Sequence, residues 1–474
     1  MSPLRKALTL LLLAAAAPMA ACAPLRTAYQ TPAVTTPTAW ADVPPTPVDT
    51  PQGAWWKRFG DEKLDRLVDR VLTRDNNLAA AAITLRRAQI QARFAVINPQ
   101  LNGSFGYSAT YPLKSGSNSV TINGYSFNTG QGDTESYAPN LSASYEVDLF
   151  KALAAQHDVA KWEARATQQD LDSTRLALIG TTVDLYYQLA YLNGEIVRTQ
   201  KDIDYAQTSL DLVRVLVRAG DASSLDESLS AQSLASAQSA LHGLVEQRVE
   251  ARNSLSLLLN GESASPDDEL PSLPVAAPPS VDPGLPASLL GRRPDLKAAE
   301  MRLREQLASL DQSRLSLYPV LTLTGSLGSS SSTLSKLFED PIGSLGADIA
   351  LPFLNYDQVR LNVGVSRATY DLAVVNFRQT LYQALIDVQN ALSQSDQYGR
   401  QAADLRRALE ETRHIEQLDT VRYRAGSIPL QTLLTDQQST RQAESQLASV
   451  QLTQLQTYVA LCKALGGEAS APAL

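Results

Sequence analysis

"PQLNGSFGYSATY", residues 99–111, is where the apolar period of this chain changes from about four to two. Leu101, Gly103, Phe105, Tyr107, Ala109 and Tyr111 alternate with Asn102, Ser104, Gly106, Ser108 and Thr110, a strand with one apolar face. A second run does the same: Tyr137, Pro139, Leu141, Ala143, Tyr145, Val147 and Leu149 oppose Asn140, Ser142, Ser144, Glu146 and Asp148. Between the two lies what reads as a long Gly/Asn/Ser loop. After Pro319 the event recurs, with Leu321, Leu323, Gly325 and Leu327 in one run and Leu345, Ala347, Ile349, Leu351 and Phe353 in the next. The pattern predicts four strands, over about 99–111, 137–149, 319–328 and 345–353.

Strands of about ten residues with strict alternation fit a transmembrane barrel, whose tilted strands need roughly 9 to 11 residues. They fit two surface hairpins of a soluble domain equally well. If they lie in lipid, four strands cannot close a barrel, and an open edge leaves unpaired N–H and C=O groups at several kcal/mol each. Closure then requires several chains.

The strands are embedded in helix. Before Pro99, Leu64, Leu67, Val68, Val71 and Leu72, then Leu78, Ala82, Leu85 and Ala88, mark a pair of amphipathic helices. After the second strand, Leu185, Leu189, Leu192, Ile196, Thr199, Ile203, Ala206, Leu210, Val213 and Val217 recur at spacings of four and three, a heptad seam. Ile179, Val183, Tyr186, Ala190, Asn193 and Val197 form a parallel row, so one helix can pack against two neighbours. Unbroken from about Leu153 to Arg218, it would be on the order of 100 Å long. "RAG" at 218–220 interrupts it, and a return helix runs to Gly261. The second half repeats the plan, with Leu381, Leu385, Val388 and Leu392 outbound, a second "RAG" at 424–426, and a return to "KALGG". Gly220 and Gly426 stand about 206 residues apart, too long a period for a solenoid and right for duplication of a whole half.

The chain begins with Arg5 and Lys6, an apolar run from Ala7 to Ala17, and small residues up to Cys22, the layout of a secretory signal. "MAAC" resembles a lipobox, with Met19 where Leu is usual, which makes Cys22 the expected lipidation site. Only Cys462 then remains as a thiol, so no intramolecular disulfide is expected. Residues 23 to about 53 have the Pro/Thr composition of an extended tether. The sequence therefore divides into a signal peptide (1–21), anchor and tether (22–53), a first repeat (54–261), a Pro-rich crossing (262–283), a second repeat (284–467) and a tail (468–474).

Lys+Arg 41 against Asp+Glu 49 gives a net charge of -8, and no basic stripe appears, which argues against nucleic acid as a partner. His157, His242 and His414 are scattered without metal-ligand spacing, and no phosphate loop or dinucleotide fingerprint occurs. An enzyme is not expected, nor any cofactor or metal. Arg292, Arg293 and Asp295 in "GRRPDL" invite a ligand, but Pro294 and Asp295 also make a helix start, Pro suiting the first turn and Asp the dipole. At the two turns, Gly220 and Gly426 suit a left-handed backbone at a helix end, with Arg218 and Arg424 near the last carbonyls.

The lipobox, "WWKRFGDEKLDRLV" from Trp55, "YEVDLF" from Tyr145, "GLPASLLGRRPDLKAAE" from Gly284, "LYPVLTLTGSLG" from Leu317 and "YRAG" from Tyr423 together resemble the TolC-like outer-membrane efflux family. Within it they are most similar to the lipoprotein branch serving resistance-nodulation-division pumps. The resemblance covers essentially the whole mature chain. It implies a mainly α protein with membrane β: a homotrimer whose chains each give four strands to a twelve-stranded barrel, continuous with a periplasmic tunnel of helical hairpins.

The implied partners are outer-membrane lipid, a periplasmic adaptor protein and an inner-membrane pump, and the implied task is passage of drugs or other toxic small molecules. Arg218, Gly220, Leu225, Arg424, Gly426 and Leu430 would form the tip that meets the adaptor. The closed tip would involve Asp226, Glu227, Tyr423, Thr435 and Asp436, with Tyr423 bonding Asp226 in the way the family suggests. Ile428 and Thr435 depart from an Arg and an Asp found in relatives. A duct for type I protein secretion and a poreless periplasmic coiled-coil lipoprotein are the alternatives.

Overall fold

The computed structural model describes residues 26–34, 37, 40, 54–111, 119–122, 125–128, 134–263, 265, 268–279, 281, 286 and 291–467. Cys22, the signal segment and much of the tether lie outside them. After a short 3-10 turn at Trp55–Phe59 come α1 (Glu62–Arg74), α2 (Asn76–Phe94), β1 (Gln100–Thr110), β2 (Ser119–Ile122), β3 (Tyr125–Asn128) and β4 (Thr134–Val147). Then follow α3 (Ala152–Ala219), α4 (Ser224–Leu258), α5 (Pro294–Leu315), β5 (Val320–Gly328), β6 (Ile342–Ala350), α6 (Tyr356–Arg424) and α7 (Leu430–Ala464).

Two compact units result, and they are not the two repeats. Of the described residues, one unit holds those up to Thr31 and those within 88–164 and 302–374; the other holds those within 32–87, 165–301 and 375–467. Each unit takes pieces of both halves.

In the first unit, β1, β4, β5 and β6 form one antiparallel sheet in that order. β6 stops at Ala350 rather than 353, because Pro352 has no N–H for the ladder and opens a 3-10 turn instead. β4 stops at Val147, where Asp148 turns to accept from the amides of Leu153 and Ala154 at the start of α3 (3.1 and 2.9 Å). The region between β1 and β4 is not loop throughout: β2 and β3 pair there, Ile122 opposite Tyr125.

The second unit carries the main core. Trp55, Trp56, the Leu64/Leu67/Val68/Val71 face of α1, Ile179 to Leu192 of α3, Leu255 of α4 and Leu259 just after it, and Leu455 to Cys462 of α7 pack together. Asp61 caps α1 by accepting from Lys63 and Leu64, and its second oxygen accepts from the buried Tyr186 hydroxyl at 2.6 Å. Both rows expected on α3 are used, Leu189, Leu192, Ala206, Leu210 and Val213 in one and Ile179, Val183, Tyr186 and Ala190 in the other; of the two rows only Val197 is exposed. Cys462 is a buried core thiol, and burial pushes it up to about 12, which keeps it protonated and inert.

Asp184, on α3, is the misfit of this core. Burial pushes its carboxyl up to about 6, against the pull of Lys463, and one oxygen has no hydrogen-bond partner. A carboxyl whose folded pKa exceeds its unfolded value binds protons more readily when folded, so stability falls as pH rises from about 4 to about 6 and stays reduced above that. Asp184→Asn is therefore expected to stabilise the detergent-solubilised protein by about 1 to 3 kcal/mol at pH 7.5, with the gain gone near pH 4. Denaturation curves of the two proteins at both pH values check this.

Candidate functional site: a one-sided sheet and two hairpin tips

The register of the sheet lines up apolar residues across all four strands. Leu101 stands opposite Ala143, which stands opposite Gly325, which stands opposite Leu345. Tyr145, Leu323 and Ala347 make a second such row, and Val147, Leu321 and Ile349 a third. The other face carries Asn102, Ser104, Ser142, Ser144, Thr322, Thr324, Ser326 and Ser344. In a soluble sheet the apolar face is the covered one. Here it lies open: Leu345 is 95% exposed, Leu101 72% and Ile349 64%. That face is built for hydrocarbon, and among the described residues no helix is long and apolar enough to cross a membrane.

The two hairpin tips repeat each other. At the first, Gly220 has φ +86 and the Asp221 amide reaches back to Leu216 at 2.9 Å; at the second, Gly426 has φ +72 and Ser427 reaches Arg422 at 2.9 Å. Both are left-handed helix ends whose conformation suits glycine. The far ends match too, since Asn260 (φ +60) and Gly466 (φ +77) hold corresponding places, with Gly261 and Gly467 reaching back to Ser256 and Cys462. Arg218 donates to the Arg214 carbonyl at 3.2 Å.

Beyond the turns the copies diverge. Ser223 and Asp226 form a reciprocal capping box at the start of α4, the Asp226 carboxylate accepting from the Ser223 amide (2.9 Å) and hydroxyl (2.7 Å). These bonds hold Asp226 below the usual carboxylate range. Glu227 accepts from Arg214 at 3.1 Å, and Leu225 is exposed. Pro429 opens α7 with no side-chain cap, Leu430 is half-buried, and Thr435 returns its hydroxyl to the Gln431 carbonyl.

The pairing of Tyr423 with Asp226 is not present within the chain: Tyr423 is exposed, and Asp226 is occupied with its own helix start. Asp436 lies beside acidic groups of α6. Partial burial and the neighbouring Asp419 and Glu416 push its carboxyl up, while Asp419 pairs with Arg422 at 2.8 Å. What joins the hairpins is α3 against α7. Asp202 bonds Arg441, whose guanidinium lies 5.0 Å over the Tyr205 ring, and Ser209 reaches Gln431 at 3.4 Å. Sequence spacing gave no hint of these polar pairs.

Arg293 and Asp295 bond to each other, and Arg293 bonds to neighbouring helices within the chain. The guanidinium donates twice to Asp295 (3.0 and 2.8 Å), to the Ala464 carbonyl at the end of α7 (3.2 Å) and to Asp387 of α6 (3.5 Å). Burial opposes ionisation of Asp295, but Arg293 outweighs it and leaves the carboxyl below its usual range. Among the described residues no group of three His, Cys, Asp or Glu could hold a metal.

A one-sided sheet with an open apolar face, together with duplicated helical hairpins nearly seventy residues long on their outbound arms, defines an outer-membrane duct. The family model described as outer membrane efflux protein matches residues 67–261 and 285–467, and the chain belongs to that family. It is 32% identical over 422 residues to the pyoverdine export outer membrane protein OpmQ of Pseudomonas putida, covering 88% of each chain. Toxin and drug export protein A of Aggregatibacter actinomycetemcomitans is 30% identical, over 87% of this chain and 88% of that one. The solved outer-membrane channel OprN superposes with a TM-score of 0.77 at 25% identity, covering 94% and 99% of the two chains. The CmeC channel of Campylobacter jejuni shares the fold, with a TM-score of 0.78 at 21% identity over 94% of each. The protein is the outer-membrane channel component of an efflux system.

Proposed function

We propose that three copies close their four-stranded sheets into one twelve-stranded barrel, and that the assembly is the exit duct of a tripartite pump. A periplasmic adaptor and an inner-membrane, proton-driven resistance-nodulation-division transporter would supply cargo and energy. The observation that carries this reading is the apolar face continuous across β1, β4, β5 and β6, with its polar reverse. β1 and β6 are edge strands of the sheet, so a membrane sheet of this kind needs neighbours on both sides. No chemistry is performed on the cargo. The polar face of Ser, Thr and Asn offers hydrogen bonds without a shaped pocket, which suits diverse small molecules such as drugs and other toxic compounds. Relatives named for toxin and drug export and for toluene efflux agree with that range.

Deletion of the gene followed by susceptibility profiling across antibiotics, dyes and solvents tests the cargo class; an unchanged profile would count against efflux of such compounds. Cys22 is proposed as the acylated residue, and Arg218, Gly220, Leu225, Arg424, Gly426 and Leu430 as the tip that meets the adaptor.

The gate is proposed to lie between subunits at the same tips, with Tyr423 of one hairpin reaching Asp226 or Glu227 of another and with Thr435 and Asp436 nearby. One such bond is worth about 0.5 to 1.5 kcal/mol, so three copies bias closure by roughly ten- to a thousandfold. Tyr423→Phe combined with Asp226→Asn, which removes the charge and retains an acceptor for the cap, is expected to raise single-channel conductance or open probability in planar bilayers. Unchanged currents would rule this pair out as the latch.

A further inference from the structure

The strands β1, β4, β5 and β6 carry three charged residues, Glu135, Glu146 and Asp348, and no Lys or Arg. Glu135 shares the parity of Tyr137, whose hydroxyl donates to it at 3.2 Å. The other two fall on the polar face and in one row. Glu146 stands opposite Thr322, and Thr322 opposite Asp348. Neighbouring strands lie about 4.8 Å apart, so the two carboxylates are about 10 Å from each other across Thr322. The row crosses the sheet where the strands meet the helices, since β4 stops one residue past Glu146 and β6 two residues past Asp348.

The fold uses neither carboxylate. Glu146 is half-buried and Asp348 exposed, and among the described residues neither side chain has a hydrogen bond or an ion pair. Asp148 is the contrast, because its two oxygens accept the amides of Leu153 and Ala154 at 3.1 and 2.9 Å. Position 146 serves the fold through its backbone alone. The Asn98 side chain donates to the Glu146 carbonyl at 2.6 Å and accepts from its amide at 3.1 Å. Those two bonds extend the ladder past the start of β1 at Gln100. Stability therefore gives no reason for a carboxylate at either position.

Beside Glu146 lies a cavity of about 450 Å³, walled by Val96, Ile97 and Leu153 and by Ser144, Glu146 and Thr322. Pockets of about 300 to 1,000 Å³ accept drug-sized molecules. With Asp148 committed to its cap, the carboxylate left for an occupant is that of Glu146. An apolar wall facing an unpaired carboxylate complements a cation with apolar substituents and disfavours an anion of the same size. We propose that Glu146 and Asp348 form a cation-selecting girdle at the helix end of the barrel lumen, and that the cavity beside Glu146 receives amphipathic cations on their way out. This rests on the trimeric barrel proposed above, in which the polar face lines the lumen and three copies set six carboxylates at one level. A wall of one sign concentrates counter-ions, and rings of Asp and Glu select cations. The girdle belongs to the sheet-bearing unit, whereas Asp226, Glu227 and Asp436 of the proposed gate belong to the other.

The test uses the full-length protein in planar bilayers at neutral pH. Reversal potentials in a KCl gradient report selectivity. Current block by tetraphenylphosphonium, an amphipathic cation, and by cholate, an amphipathic anion, reports the cavity. Glu146→Gln and Asp348→Asn keep size and hydrogen-bonding capacity, and together they clear the row of charge. Thr322→Glu, added to that pair, returns a carboxylate to the same row from the strand between them. The heat-resistant oligomer reports assembly of each variant.

The parent is expected to prefer K⁺ to Cl⁻, and the double variant to lower that permeability ratio at least about threefold. Adding Thr322→Glu should recover most of the loss. A unit charge at about 4 Å in water is worth about fivefold in affinity, so Glu146→Gln alone is expected to raise the half-blocking concentration of tetraphenylphosphonium by about that factor. Block by cholate should not weaken. Unaltered reversal potentials in the double variant, or no recovery with Thr322→Glu, overturn the girdle and leave the barrel standing. Equal weakening of both blockers by Glu146→Gln marks a change of packing and overturns the cavity's role. A parent without channel activity overturns the barrel and the girdle with it. Should Glu146→Gln fail to assemble, Asp348→Lys at its exposed position decides alone, since unchanged selectivity there also overturns the girdle.

Discussion

Leu345→Arg is expected to abolish assembly in the outer membrane, while Ser104→Arg leaves assembly intact and changes the conductance. Leu345 sits near the middle of β6, is 95% exposed, and belongs to the row Leu101, Ala143, Gly325, Leu345. An Arg at the mid-plane of a barrel's lipid face costs about 2 to 4 kcal/mol, and a homotrimer incurs it three times. Ser104 is equally central on β1 and points to the polar face with Asn102. There the same guanidinium meets water, and its effect is a shift of ion selectivity toward anions. The pair separates the two explanations of strand alternation. A soluble hairpin with an incidental apolar face would tolerate Leu345→Arg, since an exposed residue gains nothing from being apolar in water. The measurement is the heat-resistant oligomer in membrane fractions for both variants, with planar-bilayer reversal potentials for Ser104→Arg.

What was legible in the sequence is what repeats. Period two after Pro99 and Pro319, period three-and-a-half along α3, and glycine at 220 and 426 each arise from backbone geometry that acts on every residue of an element. A few errors at an end, such as Leu351 and Phe353, do not erase them. The β2–β3 pair carried a local signal as well, Asn123-Gly124 between Val120-Thr121-Ile122 and Tyr125-Ser126-Phe127, an Asn-Gly hairpin signature that its polar surroundings masked.

The Arg26–Asp158 pair, the Asp202–Arg441 bond and the discontinuous units were not legible. Each of the two pairs joins single polar side chains across more than a hundred residues, and nothing periodic announces such a partner. Asp226 is a different case. Resemblance offered it as a latch for Tyr423, whereas Ser-x-x-Asp before a helix is itself a capping pattern, and within one chain the cap is where the carboxylate is used. A latch between subunits would have to share it.

Arg293→Leu is the other change expected to have a large effect, and it should act on folding rather than on cargo. The guanidinium is 12% exposed and joins three helices: Asp295 in the first turn of α5, Asp387 and the Ala384 carbonyl on α6, and the Ala464 carbonyl at the end of α7. The last contact places a cation on the negative end of a helix. Removing one partner of a fully buried ion pair costs about 3 to 5 kcal/mol, and because Asp295 and Asp387 are each more than a third exposed the loss here is expected to be smaller, about 1 to 3 kcal/mol. Arg293→Lys keeps the charge but cannot bond Asp295 twice while reaching Ala464, so an intermediate loss is expected. The backbone there leaves no slack, because a Cβ on Gly466 would come within 2.8 Å of the Arg293 backbone, and Gly466 is already at φ +77. Gly466→Ala should therefore destabilise the same junction without touching any charge. Denaturation midpoints of the purified protein would fall for all three variants if the cluster is a junction. A ligand site would instead give normal midpoints and altered transport. The arrangement of "GRRPDL" favours the first outcome, since Asp295, the partner a ligand would have to displace, is held by two hydrogen bonds from within the chain.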